Sequence, residues 1–273
     1  GLFADRISSI FNAEEYKIIP RKGEEYLLDR NAPGFPNHVV FPTPSKNSKG
    51  ILVIPTVEGT MMVGPTAVEI EDKEGLSTSS SNLEKIFNYA KNMIPSISQK
   101  DIITSFAGLR PTLEGGDFFI DISKKTPNFI HVAGIQSPGL TASPAIALYV
   151  KDLLKNCGLK LIEKKNWSPN IAAVPRIREL NIYEADEIYN KNKDYGNIIC
   201  RCENISEAEI KEAIKRGHTT LDGIKFFTRA GMGRCQGGFC SYKIIKIIME
   251  ETGLSYDQIT KRGKESFILK GEL

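Results

Sequence analysis

What this chain lacks narrows its class before any motif is read. It has no long apolar run: the longest, from Ala142 to Leu154, is broken by Ser143, Pro144, Lys151 and Asp152 and is too short to cross a bilayer. No membrane span is expected. It has little net charge, since 36 Lys and Arg against 33 Asp and Glu leave +3, too small to imply nucleic acid as a partner. It has no internal repeat and no low-complexity tract. Cysteine is scarce except in one place: of five, four fall between residues 200 and 240, where a small secreted domain would spread them out as a disulfide framework. No secretory signal opens the chain, so the expectation is a reducing, cytoplasmic setting.

What is present describes an ordinary globular chain, 273 residues long with 41% hydrophobic and 25% charged residues, enough for a sizeable core plus a second small domain. It opens on Gly1-Leu2-Phe3-Ala4-Asp5-Arg6-Ile7, an amphipathic helical pattern without an initiator Met, which reads as a cut end of something longer. Lys17 to Pro20, Tyr26 to Leu28, Val39 to Phe41, Ile51 to Ile54 and Met61 to Val63 are short apolar or alternating runs punctuated by Gly and Pro, the pattern of an antiparallel meander. Ser81 with Glu84 predicts a capped helix to about Asn92. Ile102 to Phe106, Phe118 to Ile122 and Phe129 to Ala133 read as further strands. A Gly-rich turn from Gly134 to Gly139 then feeds a helix from about Thr141 to Asn156 that is apolar on most faces and so expected to be buried. Residues 164–195 change to mixed charge and read as a connector with one short helix near Ile182 to Tyr189. Beyond Cys202 the signals are helical: capping residues at Ser206, Thr219 or Thr220 and Ser255, and stops at Gly217, Gly253 and Gly263.

The cysteines come as two tight pairs, Cys200-Arg201-Cys202 and, within Gly-Met-Gly-Arg-Cys-Gln-Gly-Gly-Phe-Cys, Cys235 and Cys240. A structural zinc site usually spaces its pairs by two to four residues, so Cys-x-Cys is unusual for zinc. A 2Fe-2S cluster carries a negative charge that grows on reduction and needs donors and cations around it. Gly231, Gly233, Gly237 and Gly238 free the backbone to turn N–H groups toward sulfur, and Arg201, Arg229, Arg234 and Lys243 supply positive charge. Cys-Arg-Cys-Glu and Thr-Arg-Ala-Gly-Met-Gly-Arg-Cys-Gln-Gly-Gly-Phe-Cys together resemble the bacterioferritin-associated-ferredoxin-like 2Fe-2S domain. They are most similar to the version fused to FAD-dependent glycerol-3-phosphate dehydrogenases and to opine or hydroxy-acid oxidoreductases, in which the second pair is spaced Cys-x4-Cys as here. The resemblance implies that Cys200, Cys202, Cys235 and Cys240 are the metal ligands. Phe226-Phe227 departs from it, standing where a basic pair is expected. A zinc-stapled helical interaction module is the alternative. Cys157, alone near a helix end, is given no role.

Phe106-Ala-Gly-Leu-Arg110-Pro and Phe129-Ile-His-Val-Ala-Gly-Ile-Gln-Ser-Pro-Gly-Leu-Thr-Ala-Ser-Pro144 resemble the C-terminal half of the D-amino-acid-oxidase superfamily. A strand that ends in a glycine turn and opens a helix presents backbone N–H groups and a positive dipole end to a ligand. The resemblance implies flavin contact for Gly134, Ile135, Gln136, Gly139, Leu140 and Thr141. It places at Arg110 the arginine that grips a substrate anion, with a domain-bridging salt bridge as the alternative, and it makes Tyr26 a candidate pocket residue that could equally be packing. His131 reads as a core histidine. No G-x-G-x-x-G turn for the FAD pyrophosphate occurs anywhere in the chain.

The expected fold class is therefore α+β: an antiparallel-sheet substrate domain with the C-terminal part of an FAD-binding domain over residues 1–163, a connector over 164–195, and a small all-α 2Fe-2S-binding domain over 196–273. The expected function is that of the C-terminal portion of an FAD-dependent dehydrogenase. Its substrate would be a small anionic alcohol or amine such as glycerol 3-phosphate, a 2-hydroxy acid or an amino acid, with electrons passing through the cluster to an acceptor. On this reading the portion alone is inactive, and the G-x-G-x-x-G half lies upstream or on a separate chain. The rivals are a non-enzymatic iron-sulfur electron-transfer subunit and the zinc-stabilised interaction module.

Overall fold

A computed structural model describes residues 1–43 and 50–269; residues 270–273 of the expected last domain lie outside them. The chain divides into two units, Gly1–Trp167 and Ser168–Leu273. Residues 168–195, expected as a connector, therefore group with the cysteine-bearing unit.

The first unit is built on one long antiparallel pair. Lys17 to Pro20 and Tyr26 to Leu28, read as separate strands, merge into β1 (Ile18–Leu28), and Ile102 to Phe106 extends into β5 (Ile102–Leu113). The sequence conceals this because the middle of β1 is Lys22-Gly23-Glu24-Glu25, the opposite of a strand's usual composition. β5 pairs β1 along its whole length, with Arg21 opposite Arg110, Gly23 opposite Gly108 and Glu25 opposite Phe106. On its other edge β1 pairs β3 (Met61–Gly64) and β4 (Val68–Glu69), and β3 pairs β2 (Leu52–Pro55). Val39 to Phe41 contributes only a bridge, Val40 to Val53.

Alternation sends the even residues of β1 toward α2 (Ser80–Met93) and the odd ones to the other face. Leu28, Val53, Met61, Val63, Ile86 and Ala90 form the core beneath α2. The helix starts two residues before the predicted Ser81 box, with Ser79 as its cap. The reason is Glu24, fully buried in mid-strand. Its carboxylate accepts from Ser79 N at 2.7 Å and Asn82 Nδ2 at 2.8 Å, fixing the positive end of the helix to the sheet. Burial works against ionisation, yet these donors and Lys22 hold the Glu24 carboxyl below its ordinary range.

A second hairpin, β6 (Phe119–Ile122) with β7 (Ile130–Ala133), packs near α1 (Ala4–Ile10). His131 on β7 is buried, stacks on Phe119, and meets Glu14 Oε2 at 2.6 Å and the Tyr16 hydroxyl at 3.3 Å. It is a satisfied core histidine. The helix α3 (Gly139–Asn156) starts two residues before the predicted Thr141, and its expected burial is not found: only Gly139 and Leu153 are buried, while Leu140 is 92% exposed and Leu148 and Tyr149 are exposed. An apolar composition on most faces does not by itself supply a partner for each face.

The second unit follows its caps. α5 (Glu207–Lys215), α6 (Leu221–Thr228) and α7 (Ser241–Thr252) surround a core of isoleucines that includes Ile205, Ile210, Ile224, Ile244 and Ile248, while α4 (Ile182–Lys191) has no buried residue and packs on the 3-10 turn at Lys193–Gly196. Ser206 and Glu209 form the predicted capping box, Thr220 caps α6, and Gly253 ends α7 with φ +74°. The helix expected after Ser255 is a single 3-10 turn over Tyr256–Gln258. A two-stranded ribbon, β8 (Ile198–Cys200) with β9 (Ile205–Ser206), adds strand structure to a domain that reads as all-helical.

Ser123 foremost, together with His131 and the Lys124 N–H, holds the Glu14 carboxyl at about 2 against an ordinary 4.5. A depressed folded-state value contributes stability that is complete above the ordinary value and disappears as pH falls through the folded one. The unfolding free-energy difference between wild type and Glu14→Gln is expected to be constant above pH 4.5 and to shrink between 4.5 and 2. Chemical denaturation at stepped pH checks this, and a difference that does not vary with pH contradicts it.

Candidate functional sites

The ribbon, the start of α7 and the loop between α6 and α7 carry the four cysteines. Cys202 Sγ lies 3.5 Å from Cys235 Sγ, and the Cys240 thiol hydrogen-bonds to Cys200. Residues 33 apart in sequence thus share a contact, and the sulfurs sort into an inner buried pair, Cys200 with Cys240, and an outer pair, Cys202 with Cys235, of which Cys202 is exposed. Each pair crosses between the two sequence motifs rather than staying within one.

Backbone N–H groups converge on these sulfurs. The hydrogen bond from Cys240, with the Gly231 and Glu203 N–H groups, brings the Cys200 thiol down to about 6 despite burial, and the same bond together with burial pushes Cys240 up. In the outer pair burial opposes ionisation of Cys235, but the Phe239 N–H, the Cys202 thiol and the Gly237 N–H lower it. At Cys202 the Cys235 N–H favours the thiolate, but burial and the proton shared with Cys235 raise it. In each pair one thiol is lowered and its neighbour raised, and metal binding would displace the protons that remain. Gly231 and Gly237, at φ +90° and +85°, occupy the left-handed conformation that turns these N–H groups inward. At Gly233 the need is space, since a Cβ there would stand 2.3 Å from that of Cys202. Behind the sulfurs lies a group that the cysteine spacing does not announce: buried Glu203, paired to Arg229 at 2.9 Å and Arg178 at 3.5 Å. Arg229 itself ends α6 in the left-handed region, φ +74°.

Two thiolates per pair is the number each iron of a 2Fe-2S cluster takes from protein. Among the described residues no three His, Cys, Asp or Glu side chains gather around a single ion position; one tetrahedral zinc would require the two pairs to close onto a common point. The donor set fits the di-iron cluster.

In the first unit Arg110, on β5, shares the face of the odd β1 residues Arg21, Gly23 and Glu25. Its Nη2 donates to the Thr66 carbonyl at 2.6 Å and passes over Gly23, where a Cβ would stand 2.7 Å from it. Burial and the facing Arg21 lower the Arg110 pKa against the pull of Glu25, so an anion would relieve the crowding of positive charge. Two residues along the same face, the Thr112 hydroxyl donates to Gln136 Oε1 at 3.2 Å, and Gln136 Nε2 donates to the Gly116 carbonyl at 3.0 Å. The sheet thereby fixes the turn of residues 134–138 at the end of the Arg110 face. Gly134 has φ +69°, and no side chain caps the first turn of α3; the Gly139 N–H donates to the Gln136 carbonyl at 2.5 Å, and the N–H groups of Leu140 and Thr141 follow it in that first turn. Tyr26 is not part of this group: it lies on the opposite face and packs against the core beneath α2. Thr66, Thr112 and Gly23 escape sequence reading because their roles are set across strands.

Residues 1–153, more than half of the chain, match the model of the FAD dependent oxidoreductase family. The chain belongs to that family. Residues 198–250 match the BFD-like 2Fe-2S binding domain. The chain is 45% identical to a glycerol 3-phosphate dehydrogenase of Caloramator mitchellensis over 99% of its own length and 57% of that protein. Against an anaerobic glycerol-3-phosphate dehydrogenase subunit A1 of Haloferax volcanii it is 23% identical over 75% of the chain and 40% of the relative. Among solved structures, dithionite-reduced L-alpha-glycerophosphate oxidase from Mycoplasma pneumoniae with FAD bound aligns at 31% identity and TM-score 0.58, over 64% of this chain and 46% of that one. The chain thus spans about half the length of the curated relatives it matches. Among the described residues no helix is long and apolar enough to cross a membrane. The pyrophosphate fingerprint G-x-G-x-x-G is not in this sequence.

Anaerobically purified chain is expected to carry iron and inorganic sulfide in equal amounts, with visible absorption that Cys202→Ser or Cys235→Ser weakens sharply. Metal and sulfide analysis with absorption spectra decide it, and zinc without sulfide is the contrary result.

Proposed function

We propose that this chain supplies the substrate-binding sheet, the flavin-facing turn and the iron-sulfur domain of an FAD-dependent dehydrogenase acting on a small anionic alcohol or amine. Glycerol 3-phosphate leads the candidates, ahead of 2-hydroxy acids and amino acids. The observation that carries the reading is Arg110, a guanidinium on an open sheet face, anchored at Thr66 and sharing that face with the Thr112–Gln136 contact. Its planar fork suits a phosphate or carboxylate, and the neighbouring Arg21 is held to Glu69 at 2.8 Å, which leaves Arg110 as the guanidinium for an anion. The relative at 45% identity, named a glycerol 3-phosphate dehydrogenase, supports the choice of substrate.

When bound, the flavin supplies a hydride acceptor and the cluster a one-electron carrier toward an acceptor. The chain's own contribution is positional and electrostatic. Gly134, Ile135, Gln136, Gly139, Leu140 and Thr141 would hold the pyrimidine side of the flavin, where the α3 dipole, with the Leu140 and Thr141 N–H groups of its first turn, favours negative charge. Cys200, Cys202, Cys235 and Cys240 would hold the cluster. A second reading, an iron-sulfur electron-transfer subunit that completes its site with a separate chain bearing the glycine fingerprint, is supported by the Haloferax relative's being named a subunit.

In the protein as the cell makes it, assayed with an artificial acceptor against all three substrate classes, Arg110→Lys is expected to raise KM for the accepted substrate by about tenfold, and Arg110→Ala by more. Silence toward every class would defeat the enzyme reading, and an unchanged KM in both variants would remove Arg110 from the site.

A further inference from the structure

The sulfur site contains a carboxylate that ligation does not explain. Glu203, adjacent to Cys202, is 2% exposed. Its Oε2 accepts from Arg229 Nε at 2.9 Å and lies 3.5 Å from Arg178 Nη1, and the Arg178 side chain is itself only 10% exposed. Burying such a triad costs desolvation that an apolar replacement would avoid, so its value lies in what it positions.

The local wiring identifies that target. Of the two backbone N–H groups aimed at Cys200, one belongs to Glu203 itself and the other to Gly231, two residues beyond Arg229. The Glu203–Arg229 pair therefore ties together the two chain segments that donate to the same sulfur. The following loop also lies against this anchor, since a Cβ on Gly233 would stand 3.2 Å from Glu203 Oε1. Arg178, from the 3-10 turn at Ile177–Glu179, reaches the carboxylate from a third segment.

We propose that Glu203, braced by Arg229 and Arg178, is a positioning residue that fixes the inner cysteine's donors and sets the reduction potential of the 2Fe-2S cluster. The inference rests on the cluster reading above. Reduction adds negative charge, so a fixed carboxylate beside the sulfurs lowers the potential and a fixed guanidinium raises it. The two groups thus leave opposite signatures, whereas a role confined to packing leaves none.

The test uses the cluster-loaded full chain, with Glu203→Gln, Glu203→Ala and Arg178→Gln compared by spectroelectrochemical titration and by the rate of cluster loss to a chelator. Glu203→Gln keeps shape and is expected to raise the midpoint potential, while Arg178→Gln lowers it. Glu203→Ala removes the brace and is expected to lose the cluster roughly tenfold faster. Potentials that stay at the wild-type value, or that move in the same direction for both charge-removing variants, overturn the proposal while leaving the cluster intact. Wild-type chain that holds neither iron nor sulfide overturns the underlying reading, and the proposal with it.

Discussion

Crowding four sulfurs of like charge is the constraint from which the second unit takes its form. A shared proton holds Cys202 and Cys235 at 3.5 Å; with that proton displaced, two unit charges at such a separation would repel by about 5 kcal/mol at an effective dielectric of roughly 20. No covalent bond holds the two cysteine motifs together, so the fold must supply the restraint. It does so with a core of isoleucines beneath the site, backbone N–H groups turned inward by left-handed glycines, and an ion triad behind. The ribbon that carries Cys200 is only a few residues long, and it brings that sulfur to Cys240 at the N-terminus of α7.

The first unit solves a related problem with a related device. Glu24 in β1 and Glu203 after β8 are both carboxylates buried beside short polar segments, and each joins elements that apolar packing alone would leave free to slide. One latches a helix N-terminus to the sheet, which holds α2 on the even face of β1, opposite the face that bears Arg110. The open face then bears Arg110, Arg21 and the opposed glycines. Position of charge, more than shape of cavity, distinguishes this surface.

Much of this was legible in the chain itself, and the failures have specific causes. Cys-x-Cys and Cys-x4-Cys announce their chemistry because thiolate spacing is local, and Ser206 with Glu209 announces a helix start for the same reason. β1 was read as two strands because Lys22-Gly23-Glu24-Glu25 offers no apolar alternation; only the partner β5 and the buried role of Glu24 make it continuous. Tyr26 suggests a pocket residue until register assigns its face, a parity that depends on a partner strand some 80 residues away. The helix α3 misleads differently: its composition speaks of burial, but composition carries no information on which faces find a neighbour. Glu203 stood in plain view within Cys-Arg-Cys-Glu, and only its contacts reveal that it faces inward.

Arg229 shows where the chain departs from conformational comfort. Its φ of +74° belongs to a region that glycine enters freely and that costs a residue with a Cβ, such as arginine, about 1 kcal/mol or more. A glycine at 229 would relax the turn and, by the same stroke, delete the guanidinium that reaches Glu203. The sequence accepts the less relaxed turn, so a search for thermostabilising substitutions would pick this position early and damage the redox domain by succeeding.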